Sequence, residues 1–81
     1  MVEIGDEVKM LPYTGNEIKN PFTKNQMRKI LEDNDYILTV KLVYVRGTIF
    51  KVKEDGIDYG WSTDWIEEVN PGDKMKAVLN D

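Results

Sequence analysis

Cysteine and histidine are both missing from these 81 residues. Without cysteine the chain has no disulfide scaffold, no thiolate nucleophile and no thiolate ligands for zinc or iron–sulfur clusters. Without histidine it lacks the commonest general base near neutral pH and the commonest imidazole metal ligand. These absences argue against catalysis, so we expect a protein that is not an enzyme and binds no cofactor.

Long apolar runs are also lacking, and none approaches the length of a membrane span. The first eleven residues carry acids where a signal peptide would have a basic and then an apolar region. Hydrophobic residues make up 41% and charged residues 32% of the chain, which is typical of one small globular domain. We therefore expect a cytoplasmic protein that does not associate with membranes. We expect one domain at residues 1–70 and a C-terminal tail at residues 71–81.

The net charge of −4 is unevenly distributed along the chain. Residues 1–18 carry −3, residues 19–53 carry +5 and residues 54–81 carry −6. A basic middle between acidic ends is compatible with complementary surfaces inside one fold or with a basic face for an anionic partner. We favour the simpler interpretation, that these charges form the solvated side of the fold.

The first third of the chain predicts one strand and one helix. Alternating residues favour a strand at about residues 7–11, and a turn-rich loop follows it. Thr23 and Gln26 have the spacing of a capping box, which opens helices, so we expect a helix at about residues 22–33. Its apolar stripe has helical spacing and consists of Met27, Ile30 and Leu31.

The β-branched and aromatic residues are concentrated in residues 36–69. The strand that starts at Tyr36 is apolar on both faces, which predicts cover by the domain interior on one side and by the helix or a partner on the other. Gly47 then indicates a tight turn or bulge before the next strand. The Asp55-Gly56 pair indicates a type I′ hairpin.

The end of this region predicts two more short strands. Ile57, Tyr59 and Trp61 alternate, which favours a returning strand with these side chains on one face. Ser62 or Thr63 then has the character of a cap on a single helical turn, followed by a last strand at residues 66–69.

Four short segments resemble a known family: GDEVKM at residues 5–10, GTI at 47–49, DGIDY at 55–59 and WSTDWIEEV at 61–69. Together they resemble the small Src-homology-3-like barrels, particularly bacterial and phage relatives of the KOW and Tudor type. The resemblance implies a mainly β fold, a small five-stranded barrel, with the helix as an insertion. It also suggests a phage- or prophage-encoded accessory protein.

The resemblance implies no single activity, because such barrels host peptide-binding, nucleic-acid-binding and structural roles. The acidic-aromatic loop motif with which signalling members bind proline-rich peptides is absent, so that activity is not carried over. The helical insertion is the largest departure from a minimal barrel, and a function specific to this chain is expected there.

Aromatic residues provide the first candidate site. Large amphipathic rings give much contact area at low entropic cost. The candidates for lining a groove for a protein partner are Tyr13, Tyr59, Trp61 and Trp65. Ordinary core or rim positions are the alternative, which we favour for Tyr59 and Trp61.

Basic residues of the middle segment provide the second candidate site. The possible nucleic-acid contacts are Arg28, Lys41, Arg46, Lys51 and Lys53, with Lys24 and Lys29 beside them on the helix. A sequence pI near 4.8 argues against a nucleic-acid role. We favour the alternative that these cations form a solvated face.

Two acidic clusters suggest a metal or paired-carboxylate site, namely Glu32, Asp33 and Asp35, and Asp55 with Asp58. Neither has the ligand spacing of a calcium loop. A helix end and a hairpin turn account for both without chemistry, so we expect no metal. The sequence thus favours an interaction module for a protein partner, with a nucleic-acid-associated barrel as the alternative.

Overall fold

A computed structural model describes residues 2–71. Along the chain come five strands, one helix and one short 3-10 turn. Their bounds are β1 Glu7–Met10, α1 Pro21–Asp33, β2 Ile37–Tyr44, β3 Ile49–Val52, β4 Trp61–Ser62, the 3-10 turn Thr63–Trp65 and β5 Ile66–Asn70. The expected tail lies, from residue 72 onward, outside the described residues.

All five strands form one antiparallel sheet in the order β4-β3-β2-β1-β5. The prediction of a mainly β fold with five strands and one helix is confirmed. Within residues 2–71, β4 and β5 lie at opposite ends of the sheet and are not paired with each other. The sheet is therefore not closed, and the barrel stays a prediction.

The long strand β2 pairs with β1 along its first half and with β3 along its second half. Leu38, for example, pairs with Val8, and Val43 pairs with Phe50. The register shifts by one residue between Val40 and Leu42, which is the mark of a β-bulge. The bulge reverses the alternation, so that residues of opposite parity face the core in the two halves of the strand.

The core lies between the sheet and one face of α1. From the helix come Met27 and Leu31, both at most 2% exposed. The sheet and the 3-10 turn contribute the larger share: Val8, Met10, Leu38, Val40, Phe50, Val52, Trp61 and Trp65. Each fully buried Val, Leu or Phe contributes about 1.5–3 kcal/mol, which explains how a sheet with open ends keeps its shape.

The N-cap of the helix lies three residues before the expected cap, Thr23. Asn20 is the N-cap, and its side-chain oxygen accepts the N–H of Thr23 at 3.1 Å. Pro21 occupies the first turn, where its missing N–H costs nothing because those donors have no partner inside the helix. No helix of the described residues is long and apolar enough to cross a membrane.

The expected type I′ hairpin at Asp55-Gly56 and the strand at residues 57–61 are both wrong. Gly56 does not have a positive φ, whereas Asp58 does, at 66°. Asp55 is 1% exposed, and its carboxylate accepts the backbone N–H groups of Ile57, Asp58 and Tyr59 at 2.8–3.2 Å. It also accepts the indole N–H of Trp61 at 3.2 Å, so one buried carboxylate shapes the whole loop.

Two other local predictions are confirmed. Gly47, with φ 83°, lies in the turn of residues 45–48 that joins β2 to β3. Ser62 caps the 3-10 turn, where its hydroxyl accepts the N–H of Asp64 at 3.1 Å.

Replacing Asp55 tests its role directly. Asp55→Ala leaves three backbone N–H groups and a buried indole N–H without their acceptor. We expect the free energy of unfolding to fall by about 3 kcal/mol, since each buried donor without a partner costs about 1–3 kcal/mol. Urea denaturation followed by tryptophan fluorescence measures the change.

Asp64→Ala is the matched control, because the Asp64 side chain is exposed. Its expected effect is below about 0.5 kcal/mol. Equal losses of stability in the two variants would contradict the role of Asp55.

Candidate partner-binding surface

Both tryptophans among the groove candidates belong to the core, which for Trp61 is the position that the sequence favoured. Trp61 is 0% and Trp65 8% exposed, and their rings meet edge to face with centroids 6.4 Å apart. Each indole N–H has a carboxylate acceptor, Asp55 for Trp61 and Glu17 for Trp65. Burial with satisfied polar groups is the arrangement expected of structural tryptophans.

The two tyrosines of the same set occupy different environments. Tyr59 is half-buried, and its hydroxyl donates to the side-chain oxygen of Gln26 on α1 at 2.5 Å. Tyr13 lies in the loop between β1 and α1 and is 54% exposed. Of the four aromatic residues, only Tyr13 presents most of its surface to solvent, so the structure does not bring them together as one exposed groove.

Arg28 joins α1 to the loop that precedes it. Its guanidinium donates to the carbonyl oxygens of Pro12 at 2.8 Å and Thr14 at 3.3 Å. It also donates to the Tyr36 hydroxyl and the Asn16 side chain, both at 2.9 Å. The planar fork of donors thus connects three segments of the chain, which leaves Arg28 little capacity for a phosphate.

One exposed face with apolar residues lies on the β2–β3 hairpin. Phe50 pairs with Val43 and is fully buried, so the flanking residues of both strands point to the opposite side of the sheet. On that side Leu42 stands opposite Lys51, and Tyr44 opposite Ile49. We call these four residues, Leu42, Tyr44, Ile49 and Lys51, the hairpin surface.

Two members of the hairpin surface are open to solvent, Leu42 at 46% and Tyr44 at 37%. Val45 adjoins them in sequence at the turn and is 58% exposed. The sequence predicted that a partner or the helix covers this face, and within the described residues the helix does not. The bulge before Leu42 causes this exposure, and no sequence signal marked its position.

Gly60 borders the hairpin surface. A Cβ added to Gly60 would lie 3.1 Å from the side chains of both Ile49 and Tyr44. The backbone at Gly60 therefore lies against these two side chains and supports the Tyr44 ring at its hydroxyl end.

Asp58 contacts two of the candidate cations, Lys41 and Lys51. Its carboxylate forms an ion pair with the ammonium of Lys41 at 2.7 Å, and its carbonyl oxygen accepts from Lys51 at 2.6 Å. The Lys51 ammonium also lies 5.8 Å from the centroid of the Tyr44 ring, within cation–π range. The hydrogen bond and charge of Lys41, with a smaller contribution from Lys51, hold the pKa of Asp58 below its ordinary range.

The remaining cations of the expected basic strip lie on other elements, and of these Arg46 and Lys53 are exposed whereas Arg28 is half-buried. Arg46 lies in the turn of residues 45–48, and Lys53 follows the end of β3. Arg28 lies on α1 with its own partners. The structure therefore brings together Lys41 and Lys51, whereas Arg28 belongs to a different part of the surface.

The acidic clusters form no metal site among residues 2–71, where no group of three acidic side chains is placed to hold an ion. Asp55 is occupied by the four donors of its loop. Asp58 is occupied by Lys41.

No protein-family model matches the chain, and no curated protein and no solved structure does either. What the surface binds must therefore be inferred from its own shape and chemistry.

Arg28→Ala is expected to lower the free energy of unfolding by about 1–2 kcal/mol, because several charge-assisted hydrogen bonds to the loop are lost. Urea denaturation measures it. The neighbouring exposed Lys29 on the same helix provides the control, and Lys29→Ala should change stability by less than about 0.5 kcal/mol. If the two variants are equally stable, Arg28 does not hold the loop.

The ion pair of Asp58 predicts a pH effect. Because its pKa is lowered in the folded state, the pair stabilises the fold above the unfolded pKa and loses this effect as pH falls through the folded pKa. Lys41→Met should raise the pKa of Asp58 toward its ordinary value, as a carbon-13 NMR titration of the carboxyl would show. Lys53→Met serves as the control, and an equal rise there would rule out the specific pair.

Proposed function

We propose that this chain is a non-enzymatic interaction module that binds a protein partner through the hairpin surface. The observation that carries the proposal is the exposure of Leu42 and Tyr44 side by side on a sheet face that the described chain leaves uncovered. An apolar side chain and an adjacent tyrosine, held on a paired strand, give contact area at low entropic cost.

The surface is also held in shape before binding. Tyr44 is fixed by the Gly60 backbone on one side and by the Lys51 ammonium on the other. Lys51 in turn is fixed by the carbonyl oxygen of Asp58. Side chains that are already ordered lose less conformational entropy when a partner arrives, which favours affinity.

The charge around the hairpin surface indicates the chemistry of the partner. Lys51 lies within it, and the exposed Arg46 lies in the adjoining turn. We propose a partner patch with an apolar centre and acidic residues at its rim, because complementary charge steers association and fixes orientation.

A nucleic-acid role is the second candidate. Lys51 lies over the Tyr44 ring, and Lys41 lies near it through their shared partner Asp58. Cations beside an aromatic ring occur in surfaces that bind single strands. Asp58 neutralises part of this charge, and phosphates would have to displace it. Protein binding is therefore the proposal that we favour.

The Src-homology-3-like barrel belongs to the same proposal. It is supported by five antiparallel strands in one sheet, a helix after the first strand and a helical turn before the last. A cytoplasmic, phage- or prophage-encoded accessory protein is the setting that the resemblance suggests for such a module.

Affinity capture from nuclease-treated lysate of the source cells tests the proposal. We expect the unchanged chain to retain a protein that Leu42→Asp loses, with at least about tenfold weaker binding of the purified partner by calorimetry. Phe22→Asp is the matched control, because Phe22 is 67% exposed on α1 and not on the hairpin.

Circular dichroism checks that all variants are folded, and Tyr44→Ser provides a second, milder change of the same surface. Equal capture by Leu42→Asp and Phe22→Asp would refute the hairpin surface as the site. A parallel capture from untreated lysate completes the test. A protein that is retained from the untreated lysate and lost after nuclease treatment would favour the nucleic-acid candidate.

A further inference from the structure

The free edge of β5 is a second surface that differs from the hairpin surface. Among the described residues β5 pairs with β1 on one side and with no strand on the other. An unpaired edge presents backbone donors and acceptors to any extended segment that can reach them.

The direction of the backbone groups on this edge follows from the ladder. The N–H of Met10 donates to Tyr36, next to β2, so the groups of Val8, two residues earlier, also face β2. Val8 is paired with Val69. Val8 and Val69 are therefore a non-hydrogen-bonded pair of the antiparallel ladder. The backbone N–H and C=O of Val69 point away from β1.

A groove of about 400 Å³ lies beside this edge. Its apolar lining comes from Val2, Ile66 and Val69, and Glu67 and Glu68 contribute its acidic part. Gly47 of the β2–β3 turn and Thr63 of the 3-10 turn complete it. Val69 is 40% exposed. The groove thus lies along β5, next to the outward-pointing backbone groups of Val69.

The solvent face of the same strand is acidic. Ile66 and Val69 are paired with the buried Met10 and Val8, whereas Glu68 is paired with the exposed Lys9. Glu67 lies at the register shift and contacts Lys9 at 3.5 Å. Two glutamates thus lie beside one lysine, which leaves a net negative charge on this face.

We infer that an extended segment of a partner protein, with alternating apolar and basic residues, adds to β5 as a sixth strand. Its apolar side chains enter the groove against Val69 and Ile66. Its lysines or arginines lie over Glu67 and Glu68. Main-chain hydrogen bonds at Val69 supply the pairing, as in other cases of strand addition.

A second copy of this chain is a poorer occupant of the edge. Pairing β5 with another β5 would bring the glutamates of both copies together, and like charges on neighbouring strands are destabilising. Charge complementarity therefore selects a basic segment. This inference uses other residues than the hairpin surface and can fail or succeed independently of it.

The test uses the full chain and the acetylated peptide Lys-Val-Lys-Val-Lys-Val-Lys-amide as the probe. We expect saturable binding, with nitrogen-15 NMR shifts centred on β5 and at least about tenfold slower hydrogen exchange at the Val69 amide. A peptide of the same composition with the valines grouped together is the matched control, and it should bind at least about fivefold more weakly because it cannot alternate faces.

Two variants separate the contributions. Glu67→Gln with Glu68→Gln should weaken the alternating peptide about fivefold at low salt, as expected from two exposed ion pairs. Val69→Pro removes the outward N–H, and Val69→Thr retains it with a similar shape. Binding should be lost in the first and kept in the second.

The inference is overturned by an absence of binding, by equal binding of the two peptides, or by shifts that avoid β5. If Val69→Pro does not fold, the exchange rate of the Val69 amide in the unchanged chain still decides the question, because an unaltered rate at saturation excludes strand addition. Sedimentation that shows self-association through β5, with no effect of the peptide, would also overturn it.

Discussion

The buried carboxylate of Asp55 is the contact on which the rest of this structure depends. A charge in the interior is tolerated only when its oxygens are fully satisfied, and here three backbone N–H groups and one indole N–H point at them. The indole belongs to Trp61, a fully buried residue of the core. The carboxylate therefore connects the loop before β4 to the packing beneath the sheet.

The same contact also arranges the surface above the sheet. Because the loop wraps around Asp55, Asp58 reaches Lys41 and Lys51, and Gly60 lies against Tyr44 and Ile49. The same loop thus holds both the Asp55–Trp61 contact in the core and the contacts of Asp58 and Gly60 at the surface. Their coupling means that changes within the loop affect stability and the hairpin surface together.

The sequence predicted regular elements well where a local residue determines the backbone. Gly47 marked the turn, and Ser62 marked the 3-10 turn, because positive φ and side-chain capping depend on a single residue. It predicted poorly where two local signals compete. Asn20-Pro21 prevailed over Thr23 as the helix start, since proline in the first turn follows a cap directly.

The misjudged residues are those whose role depends on the folded arrangement around them rather than on their own residue type. Asp55-Gly56 has the composition of a turn. The Asp55 carboxylate instead accepts the indole N–H of Trp61 and the backbone N–H groups of the three residues after Gly56. Leu42 belongs to an apolar alternation, yet a bulge one residue earlier turns it outward. A bulge is decided by the pairing of two strands, so residues of one strand alone do not reveal it.

The fold brings together segments of opposite charge from different parts of the chain. The basic middle meets the acidic last third at Lys41 and Asp58, and the acidic first third contributes Lys9, which meets Glu67. Among residues 2–71, pairing with Asp58 occupies Lys41 and Lys51 of the basic segment. What remains is cationic near the hairpin and anionic along β5. Two exposed surfaces of opposite charge on different strands favour two contacts with different chemistry, so a partner or pair of partners would meet this sheet in a defined orientation.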